Sequence, residues 1–196
     1  MEASTPTLSP EKKESKWVVD LKKYLKQNFS LKNNLWRLLW IIVGVSIALI
    51  PTLTCNLLIR HGQTPWLISH RVDNNGIAFG MNMPAAGIYA LQSVICILIA
   101  VAIVFNTKWY YVILLSLAFL GGFFNIIDRA ANHGYVIDYL PTGGTTSNFA
   151  DVFILIGIIG FGVIYIIMSI IAVVNEKKEA KVEQPTSDNP SAPKVD

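Results

Sequence analysis

Four long uncharged apolar runs divide the chain, and the polar residues gather between them and at its ends. The runs extend from about Leu38 to Ile59, Pro84 to Phe105, Trp109 to Ile127 and Phe149 to Val174. A helix rises about 1.5 Å per residue and must cross about 30 Å of hydrocarbon, so each run is long enough for one crossing. The pattern therefore predicts an all-α membrane protein of four transmembrane helices. Pro51 sits inside the first run and is expected to kink it or to mark its outer part. Ahead of that run, Trp17, Val18, Leu21, Tyr24, Leu25 and Phe29 fall near helical spacing, with Lys22, Lys23 and Lys26 between them. Two readings fit: a short basic amphipathic helix lying on an anionic membrane surface, or a solvated stub before the first crossing. Residues 1–14 and the tail from 175 to 196 read as disordered. The expected division is a basic tail over 1–35, a four-helix domain over 36–174 and a polar tail over 175–196. The polar lead is too long for a cleaved secretory signal.

Charge orients the helices. Every lysine lies in the N-terminal tail, in the 106–108 loop or in the C-terminal tail, whereas the other two loops hold only Arg60, Arg71 and Arg129. Positive residues stay on the cytoplasmic side, so both termini are expected there and the loops 60–83 and 128–148 outside. The loop 60–83 is expected to form a small β or amphipathic element. Charged residues are 15% of the chain, against about 25% in an ordinary soluble domain, and no basic face interleaved with aromatics points to nucleic acid. Cys55 and Cys96 lie apart in apolar runs, and His61, His70 and His133 form no cluster with them, which argues against a disulfide framework and a zinc peptidase. No metal or other cofactor is expected.

The candidate chemistry lies between Asn125 and Asp151, where Asp128, Asp138 and Asp151 stand at the outer ends of the third and fourth runs. Asn125/Asp128 and Asn148/Asp151 repeat one spacing that puts both residues on the same helix face, so Asn148 would stand beside Asp151 in the first turn of the fourth helix. The apolar stretch Gly134-Tyr135-Val136-Ile137 before Asp138 could return the chain to the bilayer edge and set Asp138 opposite Asp151. Two facing carboxylates at a low-dielectric boundary share a proton, which is what an aspartyl peptidase needs. The spacing also fits capping, anchoring and ion pairing, and by itself leaves both readings open. In the loop 71–80, Asn74, Asn75 and Gly76 form a turn signal. The small apolar segment Ile77-Ala78-Phe79-Gly80 follows, and it fits either a groove lining for an extended peptide or a plain hairpin.

Phe124-Asn125-Ile126-Ile127-Asp128-Arg129, Gly134-Tyr135-Val136-Ile137-Asp138, Ser147-Asn148-Phe149-Ala150-Asp151 and Asn74-Asn75-Gly76-Ile77-Ala78-Phe79 occur in the order and loops of four motifs of bacterial lipoprotein signal peptidase. Over about residues 36–174 the chain resembles that family, also called signal peptidase II. The resemblance implies a monomeric, cofactor-free aspartyl endopeptidase of the bacterial cytoplasmic membrane, with its active site facing outside. It would remove the signal peptide of a diacylglyceryl-modified prolipoprotein by cutting before the lipidated cysteine. Its substrates and membrane lipid would be its partners. Asp138 and Asp151 would be the catalytic pair. Asn74, Asn125, Asn148 and Arg129 would hold the substrate backbone and the pair, with Asp128 in a supporting role. The family's first span carries a D-x-x-[ST]-K element, whose counterpart here is expected over Pro51–Cys55, without Asp or Lys. The alternative is a non-enzymatic four-helix membrane protein: a small transporter, an assembly factor or an inactive relative. It would use Asp128 and Arg129 as a buried ion pair. Under either reading Gly121, Gly122, Gly157 and Gly160 serve close helix packing.

Overall fold

A computed structural model of the chain describes residues 15–63, 71–76 and 83–182, with the side chains of 181 and 182 excepted. In chain order these form α1 (Lys16–Asn28), α2 (Leu31–Arg60), β1 (Val72–Asn74), α3 (Ala85–Phe105), α4 (Trp109–Ala131), β2 (Val136–Asp138), β3 (Leu140–Thr142), β4 (Thr145–Ser147) and α5 (Phe149–Val182).

Helices α2, α3, α4 and α5 are each long and apolar enough to cross a membrane, as the four runs predict. Their ends differ from the apolar boundaries because hydropathy marks depth in the bilayer rather than where helical hydrogen bonding stops. Helix α2 begins at Leu31, where the Ser30 hydroxyl accepts the Asn33 N–H at 3.4 Å, and it runs through Pro51 without a break. Helix α4 continues past the apolar run through Asp128 and Arg129 to Ala131. Helix α5 continues to Val182, so 175–182 is helical rather than disordered: the strong helix formers Glu176, Lys177, Lys178, Glu179 and Ala180 propagate it. The remainder of that tail and residues 1–14 lie outside the described residues.

Helix α4 is the hub. It touches α2, α3 and α5, and Val112, Leu115, Ser116, Ala118 and Leu120 are buried along it. Glycines set the approach of α5. A Cβ on Gly157 would meet the Leu114 carbonyl and stand 2.7 Å from the Ala118 Cβ, and one on Gly121 would meet the Ala150 carbonyl. A Cβ on Gly122 would stand 3.0 Å from the Cys96 sulfur and one on Gly160 2.9 Å from the Leu114 Cδ2, so all four expected glycines line helix contacts. Small residues let backbones approach closely, which replaces the hydrophobic drive that lipid cannot supply.

At the end of the bundle where α4 stops and α5 begins, the chain is built from short strands. Strand β1 pairs antiparallel with β2 (Val72 opposite Asp138, Asn74 opposite Val136), and β3 with β4. The β3–β4 hairpin turns at Gly143 and Gly144, whose φ angles of +59° and +109° suit a two-residue turn. Helix α4 ends as His133 and Gly134 adopt positive φ and the Gly134 N–H returns to the Arg129 carbonyl at 2.8 Å, which turns the chain back into β2. Strand β1 is the element expected in the loop 60–83. The segment Ile77-Ala78-Phe79-Gly80, read as a groove lining, lies outside the described residues.

Candidate active site

The site is built where β2, the C-terminal end of α4 and the N-terminal end of α5 meet. Asn148 is the N-cap of α5: its Oδ1 accepts the Asp151 main-chain N–H at 3.0 Å. Its Nδ2 donates in two directions, to the Asp138 Oδ1 at 2.8 Å and to the Asn125 Oδ1 at 3.3 Å. Asn125, one turn before Asp128 on α4, donates its own Nδ2 to the Asp151 Oδ1 at 2.7 Å. The carboxylates of Asp138 and Asp151 are thus joined through two asparagine amides. Asn74, at the end of β1, donates to the other Asp138 oxygen at 2.9 Å, and its Oδ1 accepts the Gly76 N–H at 2.8 Å, closing the turn that the Asn-Asn-Gly sequence predicts.

Burial sets the electrostatics. Asp138 is 1% exposed, and Asn125, Asn148 and Arg129 are buried around it. Loss of solvent pushes the Asp138 carboxyl up to about 6; the Asp151 charge adds to the rise, while the amides of Asn74 and Asn148 and the Arg129 charge oppose it. Tyr139, fully buried beside it, packs with Ile137 as a wedge beneath the strand, and its hydroxyl accepts the Phe149 N–H at 3.3 Å.

Arg129 binds backbone rather than carboxylate. Its Nη2 donates to the Gly76 carbonyl at 2.6 Å and its Nη1 to the Gly134 carbonyl at 3.1 Å. One planar fork therefore clamps the segment after β1 and the turn before β2 onto α4. Asp128 and Arg129, neighbours in sequence, point to different partners and do not form the ion pair of the non-enzymatic reading. Asp128 instead faces α2, with the Arg60 Nη2 at 3.7 Å and the Asn56 Nδ2 at 3.4 Å, and the Ile137 main-chain N–H is directed at the same carboxylate.

The sequence reading missed Asn56 and Arg60. The expected counterpart of the family's first-span element, Pro51–Cys55, lies just before them on α2. Asn56 and Arg60 have the same four-residue spacing as that element's acid and base, with Asn for Asp and Arg for Lys. Asn56, an uncharged residue within an apolar run, was the signal available. All seven candidate residues, Asn74, Asn125, Asp128, Arg129, Asp138, Asn148 and Asp151, come together at this end of the bundle. Asp128 holds the edge next to α2; Asn74, Asn125 and Asn148 hold the carboxylates of Asp138 and Asp151, and Arg129 clamps the segments beside them.

A family model described as signal peptidase (SPase) II matches residues 52–171. The lipoprotein signal peptidase of Malacoplasma penetrans is 26% identical over 196 residues, covering 88% of this chain and 82% of that protein. The lipoprotein signal peptidase of Bifidobacterium longum subsp. infantis is 30% identical over 149 residues, covering 70% of this chain and 79% of that protein. The fold is similar to that of a solved bacterial membrane enzyme, with a TM-score of 0.53 at 20% identity over 65% of this chain and 91% of that one.

Proposed function

The chain belongs to the signal peptidase II family, a multi-pass membrane peptidase that removes signal peptides from prolipoproteins, and from this footing we propose that it cuts by an aspartyl mechanism with Asp138 and Asp151 as the catalytic pair. The observation that carries this reading is the amide bridge: two carboxylates from separate elements, one on a strand and one on a helix, held together through Asn148 and Asn125. Two acids so placed share one proton. The charged member takes a proton from water as it attacks the scissile carbonyl, while the neutral member protonates the carbonyl oxygen. The first acid then passes the proton from water to the leaving amine as the C–N bond breaks, and the second recovers its own from a hydroxyl of the tetrahedral intermediate. The amides keep the acids at their spacing, and Arg129 holds the β1 and β2 segments that present Asn74 and Asp138. Asp128 fixes β2 from the other side, through Ile137, and is itself held by Asn56 and Arg60.

The substrate is a prolipoprotein whose cysteine already carries diacylglyceryl, cut on the amino side of that cysteine. Lipid holds the scissile bond at the bilayer surface, and the site lies at the ends of α4 and α5, where the apolar runs stop. Purified protein incubated with a diacylglyceryl-modified prolipoprotein should release the free signal peptide, and the unlipidated precursor should stay uncut. An inactive relative would release nothing from either.

The enzyme lies in the bacterial cytoplasmic membrane with the site on the outer side and both termini within, since four crossings return the chain to its starting side and the lysines crowd that side. With Cys55 and Cys96 replaced, a cysteine at Ser4 should stay unlabelled by an impermeant thiol reagent on intact cells and one at Thr145 should react. The reverse pattern would put the aspartates in the cytoplasm and remove the substrate from reach.

A further inference from the structure

Helix α1 takes no part in the site and precedes the residues that the family model matches. It is tied to the bundle at its C-terminal end. The Asn28 Nδ2 donates to the Val104 carbonyl at 3.5 Å, and the Phe29 ring meets Phe105 edge-on with centroids 5.9 Å apart. Arg37, buried at the start of α2, donates to the Asn28 carbonyl at 3.3 Å, to the Asn34 Oδ1 at 2.9 Å and to the Asn106 carbonyl at 2.9 Å. These bonds fix α1 at the end of the bundle opposite the aspartates, beside the α3–α4 connection. The boundary between water and lipid at that end is marked by tryptophans: Trp40 stands 5.4 Å from both Trp36 and Trp109.

The stripe that α1 presents is apolar and uncovered. Trp17 is 68% exposed, Tyr24 50%, Leu21 46% and Leu25 37%. Lys16, Lys22, Lys23 and Lys26 occupy the opposite side of the helix, against the single acid Asp20 within it. Beside the helix, Lys32 and Lys108 border a cavity of about 640 Å³ whose apolar wall is Trp36, Leu35 and Leu39. Left in water, such a stripe would be a large exposed apolar patch. At a bilayer edge the same surface joins two attractions, apolar side chains for the acyl boundary and ammonium groups for phosphate.

We infer that α1 and the adjoining cavity form a docking surface for anionic phospholipid. The stripe enters the boundary between headgroups and acyl chains, and the α1 lysines, on the polar side of the helix, draw it to the negative surface and reach back toward the headgroups. Lys32 and Lys108 hold one phosphate while its acyl chain runs along Leu35 and Leu39. The surface is separate from the peptidase site, so its test does not depend on activity.

The test is backbone hydrogen exchange of residues 16–28 in full-length protein, reconstituted in nanodiscs of phosphatidylcholine alone or with a third phosphatidylglycerol. Exchange should slow at least about tenfold in the anionic discs and recover that factor at about 1 M salt, where charge is screened within about 3 Å. The variant Lys22→Gln/Lys23→Gln/Lys26→Gln should exchange alike in both lipids, and Lys32→Gln/Lys108→Gln should lose part of the slowing. Equal exchange of the wild-type helix in the two lipids, or slowing that survives both sets of substitutions, would overturn the inference. Since wild type alone decides the first comparison, a variant that fails to insert leaves the test standing.

Discussion

Asp138→Asn and Asp151→Asn should each abolish release of the signal peptide from lipidated prolipoprotein, while the protein still inserts and accumulates. Asparagine keeps the size of the side chain and part of its hydrogen bonding, but it neither takes a proton from water nor supplies one. The double variant should be no worse than either single one, because the two acids act as a unit. Asp128→Asn is the control: its carboxylate meets α2 and β2 rather than the other acids, so its loss should lower abundance or melting temperature first and leave measurable turnover. Substantial activity in either dyad variant would sink the aspartyl mechanism, and a stable but dead Asp128→Asn would move Asp128 into the catalytic group.

The pH profile follows from the same pair. The dyad must keep one proton, and burial pushes the Asp138 carboxyl up to about 6. The active, singly protonated state is populated below that pKa for as long as the other acid stays charged, and it is lost as pH rises through it, so kcat/KM should fall toward ~tenfold per pH unit on the alkaline limb. Asn74 donates to the charged form of Asp138 and lowers its pKa; removing that amide in Asn74→Ala should shift the limb to higher pH. A limb that stays in place would show that another group sets it.

Arg129→Lys should lower kcat/KM at least about tenfold, a loss of ~1.4 kcal/mol or more in transition-state stabilisation. The guanidinium reaches the Gly76 and Gly134 carbonyls with two separate nitrogens, and these belong to segments far apart in sequence. A lysine ammonium is a single centre and cannot bridge both in that geometry. Release of the β1 side would free Asn74, so the shortfall should come with the same alkaline shift as Asn74→Ala. Wild-type kcat/KM in Arg129→Lys would reduce Arg129 to an anchor at the membrane edge.

The four crossings were legible because lipid enforces a simple rule: a stretch that spans hydrocarbon must satisfy its own backbone and shed its charges, and composition records both. The packing glycines were legible for a related reason, since close helix approach in lipid needs small residues. Asn148 beside Asp151 could be placed because a cap and the helix it starts are local. What no local rule contains is the meeting of Asp138 with Asp151. It depends on the Gly134 turn reversing α4, on three-residue strands too short to show a period, and on Asn125 reaching across from a different helix.

The same limit explains the partners of Asp128 and Arg129. Adjacent in sequence and opposite in charge, they invite pairing, yet successive helix positions are rotated about 100° apart and face different neighbours. Only the packing of α2 against α4 brings Arg60 and Asn56 to the aspartate, and only the strand pairing brings the Gly76 carbonyl to the arginine. The sequence by itself determined which residues sit together at one end of the helices. The tertiary structure decided which of them touch, because those contacts join segments that no helical or strand period connects.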